Sequence, residues 1–242
     1  MSTVIERIRK ALHIPQGGLS EDTRANVVFA KGAGWAAPAG DVPAGDLPGL
    51  IAQIRTEAGH LNLQVHECAS AEQCGAELAA LAEGRRPEWG TARQVMCWSD
   101  PVIQGLGLEA RLAGTDISVR TVPERERFDE TERAEFRRQV VDSYMGVTTA
   151  DLLVADTATL LLLGGRGRGR SVSLVPSIHV AVVPVGRIVR TFRDALRRLD
   201  ARGLGLPSNM TFITGPSKTA DIEATLVHGA HGPREMHLFL LP

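Results

Sequence analysis

Apolar residues recur at helical spacing at Val4, Ile5, Ile8, Ala11 and Leu12, so an amphipathic helix is expected over residues 2–12, stopped before Pro15. Residues 32–49 break that pattern with Gly, Ala, Pro and Asp and read as a loop or lid. Leu47, Leu50, Ile51 and Ile54 begin a helix, Leu61–His66 alternates as a strand, and a further helix covers about 71–83, ended by Gly84 and Arg85-Arg86. Val95–Trp98 and Ile117–Thr121 predict short strands around a loop-and-helix piece. Phe136, Val140 and Tyr144 fall at i, i+4 and i+8, predicting one helix face from about 129 to 143.

The second half alternates more clearly. Asp151–Ala155 and Ala158–Leu163 are nearly continuous apolar runs, as central strands covered on both faces would be, and Val172–Val175 and His179–Val183 continue the pattern. Ile188, Val189, Phe192, Leu196 and Leu199 form an apolar helical stripe with Arg190, Arg193, Arg197 and Arg198 mostly off it. Met210–Thr214 predicts a strand, Thr219–Val227 a helix and Glu235–Leu241 a closing strand. Strands alternating with helices argue an α/β domain with a largely parallel sheet between helical layers. The hairpin-like pieces between 151 and 183 add antiparallel pairing, so a mixed sheet is expected. No internal repeat is present.

Composition narrows the class of protein. At 242 residues the chain fits one large domain, or one domain with a small N-terminal appendage. A net charge of −1 provides no overall field toward nucleic acid or an anionic membrane. Cys68, Cys74 and Cys97 are odd in number and form no C-x-x-C pair, which disfavours a disulfide scaffold, a zinc site and an iron–sulfur cluster. Glu6, Arg7, Arg9 and Lys10 do not make a signal peptide, and no apolar run approaches the ~20 residues of a membrane span. A soluble cytoplasmic protein is expected. Among 27 basic residues only Lys10, Lys31 and Lys218 are lysine, so a position holding lysine is a candidate for needing an ammonium.

Several segments could carry chemistry. Gly164-Gly-Arg-Gly-Arg-Gly-Arg170 contains G-x-G-x-G, but the β-prone Ser171-Val-Ser-Leu-Val-Pro176 follows where a dinucleotide site needs a helix. The run is either a flexible hairpin loop or an anion-contacting flap with Arg166, Arg168 and Arg170. Gly215-Pro-Ser-Lys-Thr-Ala-Asp-Ile-Glu223 lies between a predicted strand and a predicted helix that starts near Ser217 or Thr219. Free amides there, with the helix dipole and Lys218, would cradle a carboxylate or phosphate. Asp221 and Glu223 in the first turn would complement the dipole equally well without a ligand. Asp156-Thr-Ala-Thr159 follows an apolar strand and is either a ligand-facing carboxylate or a turn-forming Asx motif. His179 is a candidate acid/base or a satisfied strand histidine. His228 and His231 flank Gly229-Ala. No H-E-x-x-H supports a metal, and no G-x-S-x-G or S-x-x-K offers a serine nucleophile.

These residues, in this order, resemble the LUD-domain family in its LutC-type form. The resemblance rests on Asp156-Thr-Ala-Thr159, Gly167-Arg-Gly-Arg170, Pro176-Ser-Ile-His-Val-Ala-Val-Val-Pro184, Gly186-Arg-Ile-Val189, Gly215–Glu223 and Gly229-Ala-His-Gly-Pro233. It covers about residues 125–242, with a variable N-terminal part over about 1–120, the whole forming one LUD domain. It implies a three-layer α/β/α sandwich with a mixed sheet, similar to the sugar-phosphate isomerase and CoA-transferase superfamily. It also implies a component of L-lactate oxidation to pyruvate that works with iron–sulfur LutA- and LutB-like partners. Such a component holds no cofactor or redox centre of its own and binds a small anionic ligand.

Under that reading Asp156, His179 and Glu223 are the candidate catalytic groups. Thr157, Thr159, Gly167, Arg170, Gly215, Pro216, Ser217, Lys218, Thr219, Ala220, Asp221 and His231 are the candidate ligand contacts. The alternatives are a stand-alone isomerase or transferase acting on a phosphorylated or CoA-linked substrate, and a regulatory or assembly protein without ligand. Two departures matter. Asp156 stands where the family usually has Glu, one methylene longer, and Ala158 stands where it usually has Gly. Ala158 either excludes a turn with positive φ or strains it.

Overall fold

The computed structural model describes residues 46–125, 128–201, 207, 209–220, 226–228 and 231–242. The helix expected over 2–12, and the 32–45 part of the expected loop, lie outside them. Helix α1 (Leu47–Leu61) buries Leu50, Ile54 and Ala58, one stripe at i, i+4 and i+8, and stops where Asn62 turns left-handed at φ 60°. Strand β1 (Leu63–Glu67) follows. Helix α2 (Ala71–Gly84) starts at Ser70, whose hydroxyl accepts from Gln73 N at 3.2 Å, and buries Cys74, Leu78 and Ala82. Strand β2 (Gln94–Cys97) leads into short helices α3 (Pro101–Gln104) and α4 (Leu108–Arg111), then strand β3 (Ser118–Thr121).

Helix α5 (Glu130–Val141) is polar almost throughout and is fixed by a capping box in which the Asp129 and Glu132 side chains satisfy each other's backbone amides. It ends before Tyr144. The spacing that placed Tyr144 on this helix is coincidental, because Ser143–Thr149 is strand β4, buried at all seven positions. Strands β5 (Leu152–Val154), β6 (Thr159–Leu163) and β7 (Ile178–Pro184) follow the expected apolar runs. Strand β8 (Ile188–Val189), helix α6 (Phe192–Ala201), strands β9 (Met210–Ile213), β10 (Lys218–Ala220) and β11 (Leu226–His228), and strand β12 (Glu235–Leu241) complete the order.

The main sheet runs β1-β12-β7-β4-β2-β3, every neighbouring pair parallel. The antiparallel pairing expected within it is segregated into a second sheet, β8-β5-β6-β9, where β5–β6 and β6–β9 are antiparallel and β5–β8 is parallel. Period-two alternation shows how the second sheet is covered. Leu153, Leu160, Leu162 and Ile188 join the main core, whereas Leu152, Val154, Leu161, Leu163 and Val189 form a second cluster with Ala195 and Leu199 of α6. The second sheet is therefore buried between α6 and the main core.

Three expected elements differ. Val172–Val175 is not a strand. Arg170–Ser173 is a 3-10 turn lying on the main sheet at Gly146, where a Cβ would run into the Val172 carbonyl. The helical stripe expected from Ile188 begins only at Phe192, because Ile188–Val189 pairs with β5. Thr191 and Asp194 then cap the start reciprocally, Thr191 Oγ1 accepting from Asp194 N at 3.2 Å and Asp194 Oδ2 accepting from Thr191 N at 3.1 Å. The helix expected over Thr219–Val227 is replaced, at its described residues, by a two-stranded ribbon pairing Lys218 with His228 and Ala220 with Leu226. Thr219 pairs with Val227 between these two.

The close seating at Gly146 gives a test. Gly146→Ala meets a backbone carbonyl that cannot rotate away, so it should cost about 1–3 kcal/mol, as overpacked cores do. Gly59→Ala, on α1 with no atom near the added methyl, should be neutral or stabilising by roughly 0.5–1 kcal/mol. Urea-melt midpoints of the two variants decide it, and equal stabilities would remove the packing explanation.

Candidate functional site

The glycine–arginine run is pinned to the main sheet. Arg168 donates to Asp100 at 2.5 Å and to Asp151 at 3.1 Å, both carboxylates being nearly or fully buried, and its guanidinium lies 5.6 Å from the Trp98 ring centroid. Asp151 also accepts from Leu163 N at 2.8 Å, and Asp100 from Val102 N at 2.9 Å. Trp98 Nε1 donates to Gly169 O, and Ser99 N to Gly167 O, each at 2.9 Å. Gly167, at φ +69°, has no room for a side chain against Ser99. Arg168 is thus an internal clamp, and neither the flexible loop nor an Arg168-bearing flap describes the segment. Arg170 is exposed at the start of the 3-10 turn.

Asp156 sits in the four-residue turn joining β5 to β6. Its amide donates to Arg190 O at 3.1 Å, while its Oδ1 is buried with no hydrogen-bond partner among the described residues. Ala158, in the same turn, takes φ +47°, so the strained branch of the sequence expectation holds. Thr159 Oγ1 lies 2.8 Å from both Thr157 Oγ1 and Thr214 Oγ1. Leu160–Ile213 pairing brings the end of β9, and with it Gly215 at φ +77°, beside this turn. Asp156, Thr157, Thr159 and Gly215 are therefore neighbours. Such a turn can hydrogen-bond a hydroxyl or amide of a ligand through that lone carboxylate oxygen.

Gly215–Ser217 connects that turn to a groove. Ser217 N donates to Pro233 O at 2.7 Å, and Gly232 packs on Ser217, with no room to spare for a Cβ. The Ser217 amide is thereby used, and Lys218–Ala220 continues as strand β10, so the helix N-terminus expected at Ser217 or Thr219 is not found there. Lys218 is exposed on β10, where Thr219 and Ala220 also lie; Asp221 and Glu223 fall outside the described residues. Pro216 instead walls a cleft of about 480 Å³ at the N-terminal ends of β7 and β12, lined also by Asn62, Arg85, Arg86, Ser177, Arg234 and Glu235. His231 and Gly232 wall an adjoining cleft of about 310 Å³ that shares Ser177.

Behind the larger cleft runs a chain that the sequence reading missed. Arg85 holds Glu235 through contacts of 2.5–3.1 Å. Since a carboxylate only accepts, His237 Nε2 donates to Glu235 at 2.8 Å, and His237 Nδ1 then accepts from His66 Nε2–H at 3.0 Å. The His66 ring stacks on Phe239 with centroids 4.2 Å apart. Burial pushes the Glu235 carboxyl up, but hydrogen bonds from Arg85 and His237 outweigh it and hold the group below the usual carboxylate range. Burial lowers both histidines, against the opposing pull of Glu235 on His237 and of Glu77 on His66. A usable signal existed. His237 interrupts the otherwise apolar run Met236–Leu241 of β12, a pattern that asks for a partner.

His179 is elsewhere. It is fully buried on β7, its Nε2 is 2.9 Å from Thr148 Oγ1, its Nδ1 has no partner among the described residues, and burial drops its pKa to about 3. Neither of the two adjoining clefts is lined by Asp156, His179 or Lys218. Among the described residues no group of His, Cys, Asp and Glu is arranged to hold a metal, and no helix is long and apolar enough to cross a membrane.

Comparison with known proteins places these features in context. A family model described as "LUD domain" matches residues 51–241, well into the part that motif reading alone had left as variable. A protein named Lactate utilization protein C from Halalkalibacterium halodurans is 40% identical over 146 residues, 59% of this chain and 60% of that protein. One of the same name from Bacillus subtilis is 41% identical over 92 residues, 37% of this chain and 38% of that protein. The chain thus spans about 60% or less of the length of these relatives. A crystal structure of a DUF162 family protein from Deinococcus radiodurans covers 81% of this chain and 98% of its own with a TM-score of 0.51 at 21% identity, a likeness of fold.

The buried histidines predict a pH dependence of stability. His66, His179 and His237 are all held below the free value of about 6.5, His179 at about 3. Below the free value the unfolded chain binds protons that the folded one refuses, so stability rises with pH and is lost as pH falls from that value. Each neutral histidine contributes a slope approaching about 1.4 kcal/mol per pH unit. His179→Gln should remove one histidine's share of the slope between pH 6.5 and 5 in urea melts. An unchanged slope would mean that His179 is not held neutral.

Proposed function

The chain belongs to the LUD-domain family, and from that premise we propose that it is a LutC-like component of L-lactate utilisation that binds a small anionic ligand in the cytoplasm. In this reading the oxidation of L-lactate to pyruvate proceeds with iron–sulfur LutA- and LutB-like partners, and electrons pass through them. The names of the relatives support the setting. Three cysteines without cluster spacing, all buried and with thiols pushed up by that burial, support the division of labour.

One observation carries the ligand. The Gly215–Ser217 and Gly232–Pro233 segments, tied by the 2.7 Å bond from Ser217 N to Pro233 O, wall adjoining clefts, and the larger holds Arg85, Arg86 and Arg234. Arg85 is committed to Glu235 and Arg234 pairs with Glu88. Arg86 meets Asp116 only at 3.7 Å, and that carboxylate already receives Arg93 at 2.5 Å. Arg86 is therefore the cation of this cleft best able to turn to a carboxylate or phosphate. Titration calorimetry with L-lactate, pyruvate and inorganic phosphate tests this. Arg86→Ala should weaken the binding anion by about tenfold or more, the scale of a hydrogen bond to a charged group. Binding of none of the three would remove the reading.

A second reading, a stand-alone isomerase or transferase, is favoured by the orphaned Asp156 oxygen in a turn strained at Ala158. It would use Asp156 as the acid/base group, with Thr157 and Thr159 binding substrate. It predicts turnover of a phosphorylated or CoA-linked substrate by the isolated chain, abolished by Asp156→Asn. Turnover that survives this substitution would sink it.

A further inference from the structure

The arginine cleft continues beyond Ser177 into surroundings of a different character. Among the described residues, seven large hydrophobic side chains are exposed, and Trp89, Val141, Leu174 and Val175 all line the adjoining 310 Å³ cleft. Trp89 is 82% exposed and Val141 67%, in a chain of 242 residues with three tryptophans in all. Apolar side chains gathered on a concave wall mark an interaction site more often than scattered ones do.

One loop supplies both ends of the groove. Following α2, Arg85 and Arg86 line the cationic cleft and Trp89 lines the apolar one. Glu88, between them, is ion-paired to Arg234 on the opposite wall. The floor where the clefts meet is Ser177, whose hydroxyl donates to Tyr144 O at 3.3 Å, and Gly232 keeps the wall free of side-chain bulk. The carboxylate at the apolar end, Asp142, is engaged by Arg138 at 3.0 Å, so it does not oppose an apolar occupant with a free charge.

We propose that this groove binds an amphipathic small anion, a carboxylate or phosphate attached to a flat apolar group. The anionic end would face Arg85, Arg86 and Arg234, and the apolar group would lie against Trp89, Leu174 and Val175. The inference rests on the reading that the arginine cleft holds the ligand's charge, and it adds the class of molecule that the charge belongs to. Charge complementarity at one end and an exposed indole at the other favour such a ligand over a purely apolar one. Each cleft, at about 310 and 480 Å³, is of a size that holds small molecules.

The test compares pyruvate with phenylpyruvate, and inorganic phosphate with phenyl phosphate, by titration calorimetry on the full chain. The aryl anion should bind the unsubstituted protein about tenfold tighter than its ring-free counterpart, the gain expected from burying one face of a ring. Trp89→Ala should erase that advantage, so that aryl and ring-free anions bind the variant equally, while Arg86→Ala weakens both by the same factor. Trp89 is exposed, so its loss should not unfold the protein, which a thermal melt checks. Ring-free anions that bind with no aryl advantage would overturn this inference alone. Failure of every anion to bind would overturn it together with the anion-binding reading. An apolar wall occupied by a second copy, seen as self-association that Trp89→Ala abolishes, would overturn the small-molecule occupant.

Discussion

Arg168 between Asp100 and Asp151 is the contact on which the arrangement of the two sheets depends. Asp100 follows β2, Asp151 separates β4 from β5, and Arg168 belongs to the loop that leaves β6. A single guanidinium therefore joins the carboxyl end of the main sheet to the second sheet. Removing one partner of a buried ion pair leaves the other desolvated and costs far more than the pair contributes. Asp100 is almost fully buried and Asp151 nearly so, so neither can exchange Arg168 for water. With the loop held there, Val172 comes to rest on Gly146, Trp98 is covered by the Gly169 carbonyl, and the chain enters β7 beside β4.

That placement decides where a ligand can go. The carboxyl ends of β2 and β4, the usual binding edge of a parallel sheet, meet the Arg168 clamp and its loop. The clefts walled by the Gly215–Ser217 and His231–Pro233 segments lie at the opposite edge, where β4, β7 and β12 begin. β12 is the last strand in sequence yet sits between β1 and β7. Its first residue, Glu235, reaches the cleft, and its third, His237, is fully buried behind it. Insertion of the closing strand into the sheet interior is thus what carries a charged, hydrogen-bonded chain from the core to the groove.

Much of this was legible in the sequence where one physical signal acted alone. Leu50, Ile54 and Ala58 declared α1, and the run Leu160–Leu163 declared a strand buried on both faces. Reading failed where a long-range contact outweighed local pattern. Val172–Val175 looks β-prone, but a missing side chain at Gly146, 26 residues earlier, makes space for a turn. Lys218–Ala220 looked like a helix start, but Ser217 gives its amide to Pro233 and the chain pairs as a ribbon. Ser143–Thr149 was hidden because Tyr144 continued the helical spacing of Phe136 and Val140 by chance. For the candidate site, the segments were legible while their arrangement was not. Pro216 and His231 line clefts as ligand contacts would, whereas His179 is sealed within β7 and Arg85, Arg86 and Glu235 carried no local motif.

Ala158 separates the two candidate regions on physical grounds. A non-glycine residue at φ +47° costs on the order of 1 kcal/mol and persists only if its surroundings over-determine it. They do: β5–β6 and β6–β9 pairing fix both sides of the turn, and the Thr157, Thr159 and Thr214 hydroxyls bond one another across it. The turn is therefore rigid, and it buries an Asp156 carboxylate oxygen without a hydrogen-bond partner among the described residues. A hydroxyl or amide donor of a ligand would satisfy that oxygen, whereas an anion would bring it only another acceptor. The arginine groove has the opposite preference. The groups proposed for anion binding and for acid/base chemistry, joined in one site by the sequence reading, thus lie in two regions with contrary hydrogen-bonding preferences, and a molecule that engaged both would need its anionic group and its hydroxyl at different ends.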